Sequence, residues 1–394
     1  MVYLVIVILF LLLLYRQERN AITYKNKNRA VFLAYIVMLL FIGFRGHLYS
    51  DFISYYYFFD DLKPINHLLE NFEVSYFEPG FIIYSTIIKT IIPNYHVWVI
   101  INTAIDLLIL FWFFKRYTGS YILPLIVFLA YNGLFWECNL YRNIKGLEFF
   151  LLSIPTLENN NKTKFVLLNL LGVSFHSSSI LYLLLWPIYY RRLSTKILLG
   201  LALFANCIFL FQIPIIEKLF GLLGSSNLFS LLKSYEGYAE GDHLTGYALS
   251  LGYFERLLTF VVFLSFRNSI VSHDKKYNLF FNCYFLYYIF YLLFYESFTL
   301  VQRGPLMFNF SIWILYSVLL LNINPHRNDN EFILFSSIVS LRYHTVLKYL
   351  LVVVMMAELY TLKPVLKEYD NLIWGIESFE IRRDKIGEIF NKSF

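Results

Sequence analysis

Three arginines stand at the ends of apolar runs, apart from the other charges: Arg45 in GFRGHLYSDFISYYYFF, Arg142 in ECNLYRNIKGLEFF and Arg303 in ESFTLVQRGPLMFNF. A guanidinium is a planar fork suited to holding phosphate or diphosphate through two bonds. Several cations on one face point to an anionic ligand more strongly than one does. Arg45 taken alone also reads as an interfacial side chain snorkelling to water. Asp51 and Tyr55 follow it at i, i+4 spacing and share a helical face. Lys145 lies one turn beyond Arg142, where it joins Arg142 in holding an anion or pairs locally with Glu148.

Proton-transfer chemistry has its own candidates. In SFHSSSILYLLLWPIYY, His176 and three serines interrupt two apolar runs. A titratable ring at such a break is costly unless it is used or well paired. Its readings are an acid/base at a sugar hydroxyl or a neutral, hydrogen-bonded turn residue. Glu78 immediately precedes Pro79-Gly80 and an apolar stretch. Such a carboxylate complements a helix N-terminus or serves as a general base. Asp106, inside NTAIDLLIL, is either a relay group or the partner of a buried cation or amide.

Some chemistries have no residues to carry them. The chain has no phosphate-binding glycine loop, no H-E-x-x-H, no paired-cysteine zinc pattern and no D-x-D. Its eight histidines are scattered and its three cysteines, Cys138, Cys207 and Cys283, lie far apart. No metal and no cofactor is expected.

The elements that must position these residues are apolar. Of 394 residues 58% are hydrophobic and 15% charged, with a mean hydropathy of +0.58. Soluble domains carry about 25% charged residues, so the composition predicts a polytopic integral membrane protein. The net charge of +6 is spread between apolar runs, an arrangement that speaks for topology and not for nucleic-acid binding.

Apolar runs begin at Val2–Tyr15, read as a retained anchor, and continue through Val31–Phe44, Phe81–Ile92, Val97–Phe114, Tyr121–Trp136, Gly146–Leu157, Phe165–Val173, Ser177–Tyr190, Ile197–Gln212, Phe254–Phe266, Asn278–Glu296, Pro305–Ile323 and Phe332–Leu362. The basic stretches between them belong in the cytoplasm. That holds for all of them if the short run at 81–93 dips in and returns as a re-entrant segment; as a full span it would turn Arg116 and Lys164 outward. The expected fold is an all-α membrane bundle of eleven to thirteen crossings, one domain over 1–362 followed by an amphipathic tail at 363–394. Outer-face loops fall at 45–80 and 213–253, the latter rich in Tyr, Gly and acidic residues that suit sugars or an interfacial aromatic belt. The last apolar region is divided by Arg342, His344 and Lys348, which leaves the side of the C-terminus open.

Taken in order, GFRGHLYSDFISYY, FEPGFIIYSTIIKTI, YRNIKG, FHSSSILYLLLWPIYY and Arg303 before a long apolar helix resemble the EpsG family of Wzy-like polysaccharide polymerases. The resemblance spans roughly residues 30 to 320. It departs where Asn143 and then Ile-Lys-Gly follow Arg142 in place of Gln and small residues, and where GHLYS replaces a glycine-rich linker. It implies a metal-independent glycosyltransferase-type polymerase in the bacterial cytoplasmic membrane. Its site would face the periplasm or exterior and move repeat units between polyprenyl-diphosphate-linked oligosaccharides for O-antigen, capsule or exopolysaccharide. Chain-length regulator and flippase partners would accompany it. The residues matching the pattern are Arg45, Asp51, Tyr55, Glu78, Arg142, His176 and Arg303. Arg142, His176 and Glu78 would be catalytic, with His176 or Glu78 as the base; Arg45, Asp51, Tyr55 and Arg303 would bind substrate. The competing readings are a transporter of lipid-linked glycan, which would use Asp106 for coupling, and a membrane ligase or acyltransferase.

Overall fold

The computed structural model describes residues 9, 24–188, 191–215, 218, 249–296, 301, 303–322 and 369–392. Apart from residue 9, the expected span Val2–Tyr15 lies outside the described residues, as do Phe332–Leu362 and most of the 213–253 loop. No strand is present among the described residues, only helices and two isolated bridges, so the all-α expectation is met. Contacts divide the chain into two compact units, residues up to Leu183 with those from Pro325 onward, and Leu184–Asn324.

In the first unit α1 (Tyr24–Met38) ends in a wider π turn, Leu39–Gly43. Then come α2 (Phe52–Asp61), α3 (Leu68–Val74), α4 (Pro79–Ile91), α5 (Tyr95–Thr118), α6 (Ile122–Ala130), α7 (Gly133–Asn139), α8 (Tyr141–Glu158) and α9 (Lys162–Phe175). Asn94 caps α5 by accepting from the Val97 N–H, and Gly119, at φ +69°, ends it. The 24 residues of α5 reach about 36 Å. They run beside α8 in the same direction: Trp98 meets Tyr141 at one end, and Tyr117 donates to Glu158 at the other, 2.8 Å away. Arg116 pairs with Glu158 there at 2.7 Å.

Helix α9 returns along α8 in close approach, with Gly172 against Gly146. A Cβ on Gly172 would stand 3.1 Å from the Gly146 carbonyl oxygen. Helix α4 starts beside α9 and ends three residues before α5, so both of its ends lie at the Tyr95–Tyr141 end of the bundle. The core there is aromatic: Tyr55, Phe58, Phe77, Phe81, Trp98 and Tyr141.

A C-terminal segment closes the π turn. The wide turn leaves carbonyls without helical partners. Asn371 Nδ2 donates to Leu40 O and the Tyr369 hydroxyl to Phe41 O, at 2.8 and 2.7 Å. The backbones of Gly46 and Leu372 complete the join to Asp370 and Phe44. Helix α14 (Phe379–Lys392) then lays Phe379 flat on Tyr56, ring centroids 4.0 Å apart.

In the second unit α12 (Tyr277–Leu293) is wrapped by α10 (Thr195–Leu210), α11 (Leu251–His273) and α13 (Phe310–Asn322). Asn206 ties three of these helices together, accepting from Tyr253 and donating to the Tyr288 hydroxyl.

By length and composition, α5 alone among the described helices can cross a membrane unaided; α6 and α7 pass the same test as one pair bent by 72°. Among the described residues, membrane-length helices thus account for one or two of the eleven to thirteen crossings expected. Several apolar runs fold as shorter helices, among them Pro79–Ile91, Thr195–Leu210 and Phe310–Leu321. Pro79 at the first position of α4 and the left-handed Asn132 between α6 and α7 set two of these breaks.

Candidate functional site

Three segments far apart in sequence meet at one end of the first unit. Pro79 starts α4 and leaves Glu78 as its first flanking residue, in extended backbone. Gly80 lets α4 come up against α9, since a Cβ there would sit 2.7 Å from the Ser174 carbonyl oxygen. That approach brings Glu78 to the point where α9 stops, at His176. Glu78 Oε1 accepts the Ser177 N–H at 3.0 Å, and His176 Nδ1 stands 3.2 Å from the same oxygen, off the line of a good hydrogen bond. From the first turn of α8, Arg142 Nη1 donates to Glu78 Oε2 at 2.5 Å. Its guanidinium lies 4.2 Å over the Phe77 ring and also bonds the Tyr55 side chain.

These contacts set the charge of the site. Burial pushes the Glu78 carboxyl upward, but His176, the Arg142 charge and the Ser177 N–H outweigh it and hold the pKa down at about 2. Glu78 is therefore an anion at neutral pH and a weak proton acceptor. With Nδ1 turned toward that anion, the histidine has Nε2 left to face a ligand. Arg142 keeps a buried Nε with no acceptor among the described residues.

The other expected site residues fall in different places. Tyr55 is buried and packs edge-on to Tyr141, with ring centroids 4.5 Å apart. Asp51 begins α2, and its backbone N–H donates to Asn139 Oδ1. Arg45 is 2% exposed, and its fork is taken by Ile42 O, Glu137 O, the Thr103 hydroxyl and the Tyr141 hydroxyl. It joins the π turn, α5, α7 and α8, and is closed to an outside ligand in this arrangement. Arg303 belongs to the second unit, where it is exposed just before Gly304-Pro305.

Deeper between α5 and α8, Lys145 pairs with Asp106 and stands 3.7 Å from Glu148. The two local readings of these residues thus join into one buried cluster. Sequence reasoning missed Tyr141, whose hydroxyl bonds Arg45 and whose ring meets Tyr55 and Trp98. It also missed Glu137, buried with both carboxylate oxygens unbonded among the described residues; a carboxylate next to an apolar run was the signal available. No three His, Cys, Asp or Glu side chains are grouped to hold a metal among the described residues.

A model of the EpsG family matches residues 28–360. The chain belongs to the EpsG family. EpsG membership places it among membrane-associated proteins of polysaccharide biosynthesis. The match takes in Glu78, Arg142, His176 and Arg303, and stops before the Tyr369–Lys392 clasp. No curated protein and no solved structure matches the chain.

The clasp of this EpsG protein makes a pH prediction. His47 is buried against Phe52, His96 and Phe379. Burial, then His96 and Arg382, lower its pKa from 6.5 to about 4. Unfolded chain takes up the proton that the fold refuses, so this stabilisation is full above 6.5 and is lost as pH falls toward 4. The loss is on the order of 3 kcal/mol. Melting temperature should fall between about pH 7 and about pH 4.5, and the fall should flatten in His47→Phe. An unchanged slope in that variant would remove His47 as the cause.

Proposed function

We propose that this EpsG protein is a polysaccharide polymerase that passes glycan from one polyprenyl-diphosphate-linked oligosaccharide to another. The observation that carries the reading is the meeting of Glu78, Arg142 and His176 at one end of the first unit. A sugar hydroxyl of the acceptor attacks the anomeric carbon of the donor, and the bond from that carbon to the diphosphate oxygen breaks. The hydroxyl proton passes to His176 Nε2, and the Glu78 carboxylate, 3.2 Å from Nδ1, stabilises the charge that forms on the ring. Negative charge gathers on the departing diphosphate, and Arg142 is the cation placed to receive it.

Glu78 is assigned to positioning and not to proton abstraction, because a carboxylate of pKa about 2 binds a proton poorly. Arg45, with its donors committed inside the bundle, is assigned to holding the π turn in place. Asp51 and Arg303 remain proposed substrate contacts. The orientation rests on the basic ends of the helices. Lys115 and Arg116 end α5, and Lys162 and Lys164 begin α9, all at the end opposite His176. Basic residues stay cytoplasmic, which turns the Glu78–Arg142–His176 end outward, with α4 re-entrant and the C-terminal clasp on the same face. The transporter reading loses its coupling residue, since Asp106 is already paired with Lys145.

The test is extension of a defined polyprenyl-diphosphate repeat unit by purified protein, without nucleotide sugar. Wild type should lengthen the glycan. His176→Ala should slow extension roughly a hundred- to ten-thousandfold while accumulating normally in the membrane. Unimpaired extension by that variant would sink the assignment of the base.

A further inference from the structure

Between α2 and the α3–α4 connection lies a separate cavity of about 270 Å³, lined among others by Ser54, Tyr57, Phe58, Asp61, Ser75 and Tyr76. Its back wall is shared with the site already described. Phe58 packs on Phe77 at 4.6 Å between centroids, and the Arg142 guanidinium lies over the other ring of that pair. Two aromatic side chains, Phe58 and then Phe77, thus stand between the cavity and Arg142. Tyr76 stands two residues before Glu78.

The lining has the chemistry of a carbohydrate site. Tyr57 and Tyr76 are exposed rings, Tyr76 at 79%, and an aromatic face stacks on the C–H face of a sugar. Asp61 makes no ion pair with any described residue, and its oxygens are free to accept from vicinal hydroxyls. Tyr57 is braced from outside, its ring edge-on to Phe379 and its hydroxyl accepting from Arg383. The volume lies just under the range of about 300–1,000 Å³ typical of drug-sized ligands, enough for one sugar ring and not for a lipid-linked repeat unit.

We infer that this cavity is a sugar subsite that holds one residue of the glycan while another residue of the same chain reacts at Arg142 and His176. The inference rests on the polymerase reading for its place in the reaction, but the binding itself is separate chemistry. A subsite beside the reacting end would keep hold of the product, so that successive additions follow without release.

The test uses full-length protein in nanodiscs and, as probe, the lipid-free oligosaccharide repeat released from the producing cells' own polymer. Saturation-transfer NMR and titration should detect binding by wild type. Tyr76→Ala and Asp61→Asn should each weaken it about tenfold, and Tyr76→Phe should restore it to within about twofold. Both positions are exposed, so the fold should persist. In the extension assay the two weakened variants should make shorter chains than wild type.

Wild-type extension with equal oligosaccharide binding in all variants would overturn the subsite and leave the polymerase reading standing. Binding lost in Tyr76→Ala, with no extension by wild type, would support the subsite and sink the polymerase reading. If the variants instead lose co-purifying lipid and bind oligosaccharide normally, the cavity holds an acyl chain and the inference fails.

Discussion

Replacing Arg142 by alanine is expected to cut glycan extension roughly a thousandfold, about 4 kcal/mol of transition-state stabilisation. Two losses add. On the proposed polymerase reading, the leaving diphosphate would lose its cation at the point where its charge grows. Glu78 is also left without the side chain that holds Oε2 at 2.5 Å. Its carboxyl should then drift upward from about 2 toward 4.5, which loosens its hold on His176. Arg142→Lys separates the two effects. An ammonium keeps the charge but not the planar fork, so extension should fall less, while Glu78 keeps its low pKa. The measurement is the rate of single repeat addition, with membrane accumulation followed alongside. Equal rates for wild type and Arg142→Ala would remove Arg142 from the chemistry, whatever its effect on packing.

Lys145→Met should cost about 3–5 kcal/mol of stability, enough to deplete the protein from the membrane. Lys145 is 4% exposed and is the cation between Asp106 and Glu148, which are themselves buried. Methionine matches the stem but leaves two carboxylates facing each other with nothing to neutralise them. Adding Asp106→Asn should recover much of the loss, because removing both members of a buried pair is far cheaper than removing one. Thermal unfolding of the detergent-solubilised protein, arranged as a double-mutant cycle, reads the coupling directly. Additive losses in that cycle would mean that the two side chains do not interact.

How much was legible beforehand differs from residue to residue. Glu78, Arg142 and His176 could be picked out one at a time, because each is a polar group at the edge of an apolar run, where an unpaired charge is expensive. Their mutual contact could not be read. It depends on how closely α4 approaches α9, which Gly80 allows, and on α8 starting beside α4 after the break at Leu140. Arg45 looked like an open anion binder on the same grounds as Arg142. Only its partners distinguish the two, since four acceptors inside the bundle already occupy its fork. The C-terminal segment gave no sign of its destination: an amphipathic stretch states that one face will be covered and not by what.

Composition and the order of short polar motifs therefore determined three things about this EpsG protein: an all-helical chain, its family, and a short roster of residues able to handle charge and protons. These follow from what apolar surroundings allow, residue by residue, along the chain. The tertiary structure decided which of those residues act on one another. It joined Glu78 to Arg142 and His176, turned Arg45 into a strut, matched Asp106 with Lys145 and drew residues 369–392 over the π turn. Such pairings depend on distances between segments far apart in sequence, and helix packing sets those distances.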